Sequence, residues 1–254
     1  MTQISIVLPN QLFEDSPLLQ YDCEILLIED SLFWGNDKNY ECINHVNKLI
    51  FLKASMNAYK EYLENKGLKV IYAKNQKNFS TYDYLRKYID HNHQSINMIK
   101  PNDYLIERRV NRFIKETKLI INYLDSPMFL THKKIVEEFK KNTKKPLMGR
   151  FYENQRLSQK ILINDDRTPI GGQWSFDELN RKKIPKNIKV PNLKKISKNK
   201  NVIEAEKFIL KSDIKFLGSS QNFFYPTTFQ EARVWLNDFF EKKFSLFGEY
   251  EDAI

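Results

Sequence analysis

Short apolar runs alternate with longer amphipathic stretches over the first half of this 254-residue chain. Ile4 to Leu8 is a continuous apolar run closed by "PNQ", and Glu24 to Ile28 is another closed by "ED"; both have the form of strands buried on two faces. Between Lys48 and Leu63, residues Leu49, Leu52, Met56, Tyr59 and Leu63 recur at three and four positions, the period of an amphipathic helix, with Gly67 as its stop. "LKVIYA" from Leu68 predicts the next strand. Ser80 and Asp83 form a capping signal that opens a helix ending near "HNH" at 91–93. "SINMIK" predicts a fourth strand, Asp103 to Glu116 a helix, "KLIINYL" a fifth strand, and Thr131 to Lys141 a further helix. Strands alternating with helices predict an α/β fold with a doubly wound, mostly parallel five-stranded Rossmann-like sheet over residues 1–145.

The rhythm changes after Lys145. "PLMGRFYENQRL" predicts a helical arm bearing Arg150, Phe151, Tyr152 and Arg156. Mixed aromatic and basic side chains either stack on bases and grip phosphates or pack the helix against the domain behind it. The stretch "IGGQWSFDELNRKKIP" comes next, and then "KKIPKNIKVPNLKKISKNKN", with eight lysines between Lys182 and Lys200 and two prolines, predicting an exposed, extended linker. Such a segment is either a DNA contact or a solvated connector. In "PTTFQEARVWLNDFF", Thr228 and Glu231 form a capping box, and Phe229, Ala232, Leu236, Phe239 and Phe240 make a broad apolar face that needs a partner.

Charge and composition narrow the classes. The net charge of +9 favours polyanions, although lysine-, asparagine- and isoleucine-rich composition is also what an AT-rich genome imposes. No apolar run approaches the roughly 20 residues that span a bilayer, and "MTQISIVLPNQ" lacks the parts of a signal peptide, so a soluble, cytoplasmic protein without a membrane partner is expected. The two cysteines, Cys23 and Cys42, have neither CxxC spacing nor a histidine-rich companion, which suggests neither a disulfide framework nor a metal site. Open parallel sheets bind ligands beyond the carboxyl ends of their strands, which places Pro9, Asn10, Gln11 and Glu29 where a small molecule would sit. No GxGxxG or GxxxxGK[ST] follows the first strand, so an ordinary NAD or ATP site is not expected.

Seven strings occur in an order and at intervals that resemble one family: "LPNQL", "LLIEDSLFWG", "KLIFLKASMNAY", "MGRFYENQRL", "IGGQWSFDELNR", "PTTFQEA" and "FGEYEDAI". They are similar to the photolyase-related proteins, in the iron-sulfur bacterial cryptochrome and (6-4) photolyase group. The resemblance runs over nearly the whole chain. It departs at Asn10, where Asp is expected, at Gly149, where an acid is usual, and at Leu179, where Glu is favoured.

The resemblance implies an N-terminal antenna domain over 1–145 that can hold 6,7-dimethyl-8-ribityllumazine, a helical arm and linker over 146–200, and the beginning of a helical flavin-binding domain over 201–254. FAD and the four-cysteine 4Fe-4S cluster belong to a part of the family beyond this chain. It implies an antenna pocket formed by Pro9, Asn10, Gln11, Glu29, Phe33 and Lys48, with His45 and Phe51 nearby. Asn10 and Gln11 would bond a heterocycle edge, Glu29 the ribityl hydroxyls, and Phe33 would stack; each is otherwise a strand-end cap or a core contact. Arg150, Tyr152, Arg156, Gly171, Gly172, Trp174, Asp177 and Arg181 are candidate interdomain or DNA contacts, with Gly171 and Gly172 also read as a turn and Trp174 as a buried anchor.

Three functions are compatible with these residues. The chain is the antenna part of a system that repairs damaged DNA or senses blue light once joined to a flavin domain, whether in a longer chain or on a separately encoded polypeptide. Alternatively it is a free-standing module for a small heterocycle or nucleotide. As a third option it is a basic nucleic-acid-binding protein without catalysis.

Overall fold

The computed structural model describes residues 2–251; the last three residues of the "FGEYEDAI" string lie outside the described residues. Five strands form one all-parallel sheet: β1 (Thr2–Val7), β2 (Glu24–Ile28), β4 (Val70–Ala73), β5 (His93–Ile99) and β6 (Ile120–Leu124). Their spatial order is β4-β2-β1-β5-β6, so the direction of winding reverses at β1. Ile6 of β1 stands opposite Leu26 on one side and Met98 on the other.

Side chains alternate across the sheet, and the two faces bury different cores. Ile4, Ile6, Leu8, Leu26, Ile28, Ile96 and Met98 pack on one face against α3 (Thr81–Tyr88) and α4 (Tyr104–Thr117) through Tyr84, Leu85, Ile106, Val110 and Phe113. Val7, Ile25, Leu27 and Ile99 pack on the other against Met56, Tyr59 and Leu63 of α2 (Val46–Asn65). This two-sided burial accounts for strands that read as continuous apolar runs. Gly67 and the Ser80/Asp83 pair mark helix boundaries as expected, and His45 and Asp103 add caps that were not. The His45 ring accepts the Asn47 N–H at the start of α2, Gly67 (φ +80°) follows its end, Ser80 N–H donates to Asp83 at the start of α3, and the Asp103 carboxylate caps α4.

Two features of this unit have no counterpart among the expected elements. Between β2 and α2 lie the single-turn α1 (Ser31–Trp34) and the short β3 (Asn44–His45), which pairs with β7 (Phe216–Leu217). Close approach there requires Gly218 (φ +79°), because a Cβ would fall 1.9 Å from the His45 ring. Past the lysine-rich linker, the chain forms α7 (Lys200–Lys211), capped by Asn199 and packed on α2 through Val202, Ala205 and Ile209.

The chain divides into two compact units, residues 1–127 with 195–235, and residues 128–194 with 236–254. The second unit contains α5 (Lys133–Asn142), α6 (Met148–Gln159), the irregular stretch through 194 and α9 (Phe244–Tyr250). The eight-lysine segment lies outside helices and strands as far as Asn199, as its prolines predict. α8 (Phe229–Lys242) begins in the first unit and ends in the second, with the expected box in place: Glu231 N–H donates to Thr228 Oγ1, and the Glu231 carboxylate accepts the N–H groups of Thr227 and Thr228.

Candidate functional site

Winding reverses at β1, so the crevice between the carboxyl ends of β1 and β5 is the first place to look for a ligand. Gln11 closes it. Its amide donates to the Ile99 carbonyl at the end of β5 (3.0 Å) and accepts from Leu8 N–H at the end of β1 (3.4 Å), and the residue is buried.

The open space lies to one side of that brace, on the α2 face of the sheet. A cavity of about 660 Å³ is bounded by the loop Pro9 to Glu14, the stretch of α2 from Phe51 to its end at Asn65, and the segment Pro226 to Arg233 that leads into α8, with Asn201 of α7. Its volume lies within the range of small-molecule sites. Tyrosines of α2 fix the loop, since Tyr59 Oη donates to the Phe13 carbonyl (3.0 Å) and Tyr62 Oη to that of Glu14 (2.7 Å). Burial raises the pKa of the Tyr59 hydroxyl, keeping it a neutral donor. Tyr59 and Tyr62 stack on each other, and both meet the edge or face of Phe229, with centroids 6.1 and 5.1 Å away. The wall is therefore aromatic, with amides from Asn10, Asn65 and Gln230 and one buried acceptor, Asn10 Oδ1, that has no hydrogen-bond partner. A planar heterocycle with polar edges matches that chemistry.

Three of the eight pocket residues expected from the sequence, Pro9, Asn10 and Phe51, line this cavity. The others lie elsewhere in the same unit. Glu29 is fully buried, and its carboxylate is engaged by Lys53 Nζ (2.5 Å), Tyr72 Oη (2.5 Å) and Asn75 N–H (2.8 Å). Phe33 packs between two hydrophobic clusters, His45 caps α2, and Lys48 donates to Asn44 Oδ1 (2.8 Å). Tyr62, Phe229, Glu14 and Arg233 carry no signal in the sequence that marks them as site residues. Tyr62 lies three residues beyond Tyr59 on one helical face, but nothing local indicates that Phe229 returns to meet it.

In the second unit Arg156 is the centre. It is buried, and its guanidinium donates to the carbonyls of Ile161 (3.3 Å), Leu162 (2.6 Å) and Trp174 (2.8 Å) while facing the rings of Tyr152 and Trp174. Gly171 and Gly172 both have left-handed φ, and the Phe176 ring occupies the place of a Gly171 Cβ, 2.9 Å away. The stretch 161–176 is thus folded around Arg156. Asp177 begins a short 3₁₀ turn and faces the Asn180 amide, while Arg150, half-exposed Tyr152 and Arg181 lie at the surface.

Among the described residues no cluster of three His, Cys, Asp or Glu suited to a metal is found, and no helix is long and apolar enough to cross a membrane. Two cysteines cannot provide the four thiolates of a 4Fe-4S cluster, so the residues present do not fit that group.

A family model described as deoxyribodipyrimidine photo-lyase-related protein matches residues 5–225. An uncharacterized protein of Acanthamoeba polyphaga mimivirus is 34% identical over 197 residues, which are 74% of this chain and 98% of that protein. A (6-4) photolyase of Agrobacterium fabrum is 23% identical over 216 residues, 83% of this chain but 42% of that enzyme, so the match spans less than half of the photolyase.

Proposed function

This chain belongs to the deoxyribodipyrimidine photo-lyase-related protein family, and from that premise we propose that its sheet unit is an antenna-type module holding a light-absorbing heterocycle in the cavity beside β1. The observation that carries the reading is the aromatic, amide-lined cavity of about 660 Å³ bordered by Pro9 and Asn10, whose walls from the loop after β1 and from α2 lie inside the segment that matches the family and whose last wall, Pro226 to Arg233, lies just beyond it. The ligand we propose is 6,7-dimethyl-8-ribityllumazine. Tyr59, Tyr62 and Phe229 would bound its ring, and Asn10 with Asn65 or Gln230 would bond its heteroatoms. Such a chromophore supplies absorption and energy transfer. This chain's residues bind it, orient it and keep water from its faces.

In this reading residues 1–145 are the antenna domain, 146–200 an arm and linker, and 201–254 lead toward a flavin-binding domain, with part of the last stretch also walling the cavity. FAD, the 4Fe-4S cluster and the chemistry on damaged DNA would reside in a flavin-bearing portion, in a longer chain or on a separate polypeptide. The match to less than half of the Agrobacterium enzyme is consistent with that division. The near-complete coverage of the mimiviral relative supports a second reading, in which the module works alone as a heterocycle-binding protein.

An absorption spectrum of the purified chain before and after denaturation, with mass spectrometry of the released material, tests the proposal. A near-ultraviolet band that shifts on denaturation and a released lumazine are expected. A protein-only spectrum, together with no uptake of added 6,7-dimethyl-8-ribityllumazine, would defeat it.

A further inference from the structure

We propose that Glu14 sets the specificity of the cavity by holding Arg233, so that uncharged heterocycles are admitted and their phosphorylated forms are turned away. The inference rests on the heterocycle-binding reading and deepens it. Arg233, on the first turns of α8, is the only Lys, Arg or His among the described lining residues. Its guanidinium is paired with the Glu14 carboxylate on the loop after β1, and each partner holds the other in its charged form, with Glu14 lowered and Arg233 raised in pKa. Glu61, the other lining carboxylate, is bound by Lys200 (2.9 Å) and by the Asn201 amide (3.3 Å). Lys66 stands over the Tyr62 ring at 5.0 Å, outside the lining.

A helix N-terminus bordering a cavity is ordinarily a place for a phosphate. Here the start of α8 carries its own anion. The Glu231 carboxylate accepts the N–H groups of Thr227 and Thr228. A phosphate entering the cavity would meet the lining carboxylates Glu14 and Glu61 with no cation at liberty among the lining residues, and within a Debye length of about 8 Å that repulsion is incompletely screened. Rejection by like charge at little cost to the neutral ligand is a common route to specificity. The same geometry makes Glu14 the control point, because neutralising it leaves Arg233 facing the cavity mouth with its charge available.

Riboflavin and FMN provide the test, since they share ring and ribityl chain and differ by one phosphate. Binding would be followed by flavin fluorescence in about 50 mM salt, with the bare ring of lumichrome as a third probe. In the wild-type chain we expect riboflavin to bind at least about tenfold more tightly than FMN. In Glu14→Gln the affinity for FMN relative to riboflavin should rise at least about tenfold, and Glu14→Gln/Arg233→Gln should lose that gain. Glu14 and Arg233 are solvent-exposed enough that both variants should fold, which circular dichroism checks. Equal affinities in the wild-type chain, or an unchanged ratio in Glu14→Gln, would overturn the role of Glu14 and leave the cavity assignment standing. Binding of neither riboflavin nor lumichrome would instead overturn the heterocycle reading and the inference with it.

Discussion

Glu29 illustrates how position along a strand differs from environment in the fold. It directly follows β2, at the carboxyl end where ligands bind in such sheets, yet its carboxylate is consumed by Lys53, Tyr72 and Asn75. Lys53 is buried on the inward face of α2 and is stacked near the rings of Tyr72 and Phe208. Removing one member of such a pair strands a charge in the interior, at a cost of about 3–5 kcal/mol. Lys53→Ala should therefore lower unfolding stability in urea by that amount, and Lys53→Met with Glu29→Gln should recover much of it. A negligible loss in the single variant would mean that Glu29 is solvated. Asp30, next in sequence, is buried and its pKa is raised, chiefly by desolvation, against the opposing effects of Leu32 N–H and Arg109. A carboxyl with a raised folded pKa contributes stability that is complete below its unfolded value of about 3.9 and is lost as pH rises through the folded value. Relative to Asp30→Asn, the wild-type chain should lose stability as pH climbs from about 4 through that value, with the difference levelling off above it. Parallel pH profiles for the two would contradict the raised pKa.

At the scale of elements, local signals carried far. The strands, the stop at Gly67 and the boxes at Ser80 and Thr228 were readable because caps and periodicity are short-range physics. α7 shows where such reading stopped short. Asn199 and the spacing of Val202, Ala205 and Ile209 are helical signals, but they come after a lysine-rich run that reads as unstructured. The stretch 161–176 has little regular structure beyond the backbone-bonded turn at 162–170, and Arg156 ties that turn to the Trp174 carbonyl. Arg156→Ala should leave three backbone carbonyls without their donor, at about 1.5–3 kcal/mol for a charged hydrogen bond. Limited proteolysis between 160 and 180 should accelerate while the sheet keeps its protection. Arg156→Lys should rescue little, because an ammonium lacks the planar fork that reaches three carbonyls. Unchanged cleavage in Arg156→Ala would show that the glycine turn and Phe176 suffice.

For the whole molecule, charge is distributed unevenly. Residues 128–194 hold 16 Lys and Arg against seven Asp and Glu, a net of +9, equal to that of the whole chain, so the remainder is neutral. The half-exposed Tyr152 and five of the eight lysines of the Lys-rich segment lie in this stretch. If the basic stretch contacts phosphates, its affinity for a labelled single-stranded oligonucleotide should fall at least about tenfold between about 50 and 200 mM salt, by release of counterions. We expect that fall; affinity independent of salt, or none at the lower concentration, would make the segment a solvated linker.

The sequence by itself determined the α/β class, the strands of the five-stranded sheet, the stop at Gly67, the boxes at Ser80 and Thr228 and the family resemblance, because each is written in residues near one another along the chain. It also placed Pro9 and Asn10 at the carboxyl end of β1, since strand polarity in a parallel sheet follows from alternation alone. Only the tertiary structure decided that Gln11 closes the crevice at β1, that Glu29 is taken by Lys53, and that Phe229 and Arg233 return across more than 200 residues to complete the wall of a cavity begun by Asn10 and Glu14. Those pairings are set by which buried surfaces and charges find each other when the whole chain packs, and no local pattern encodes them.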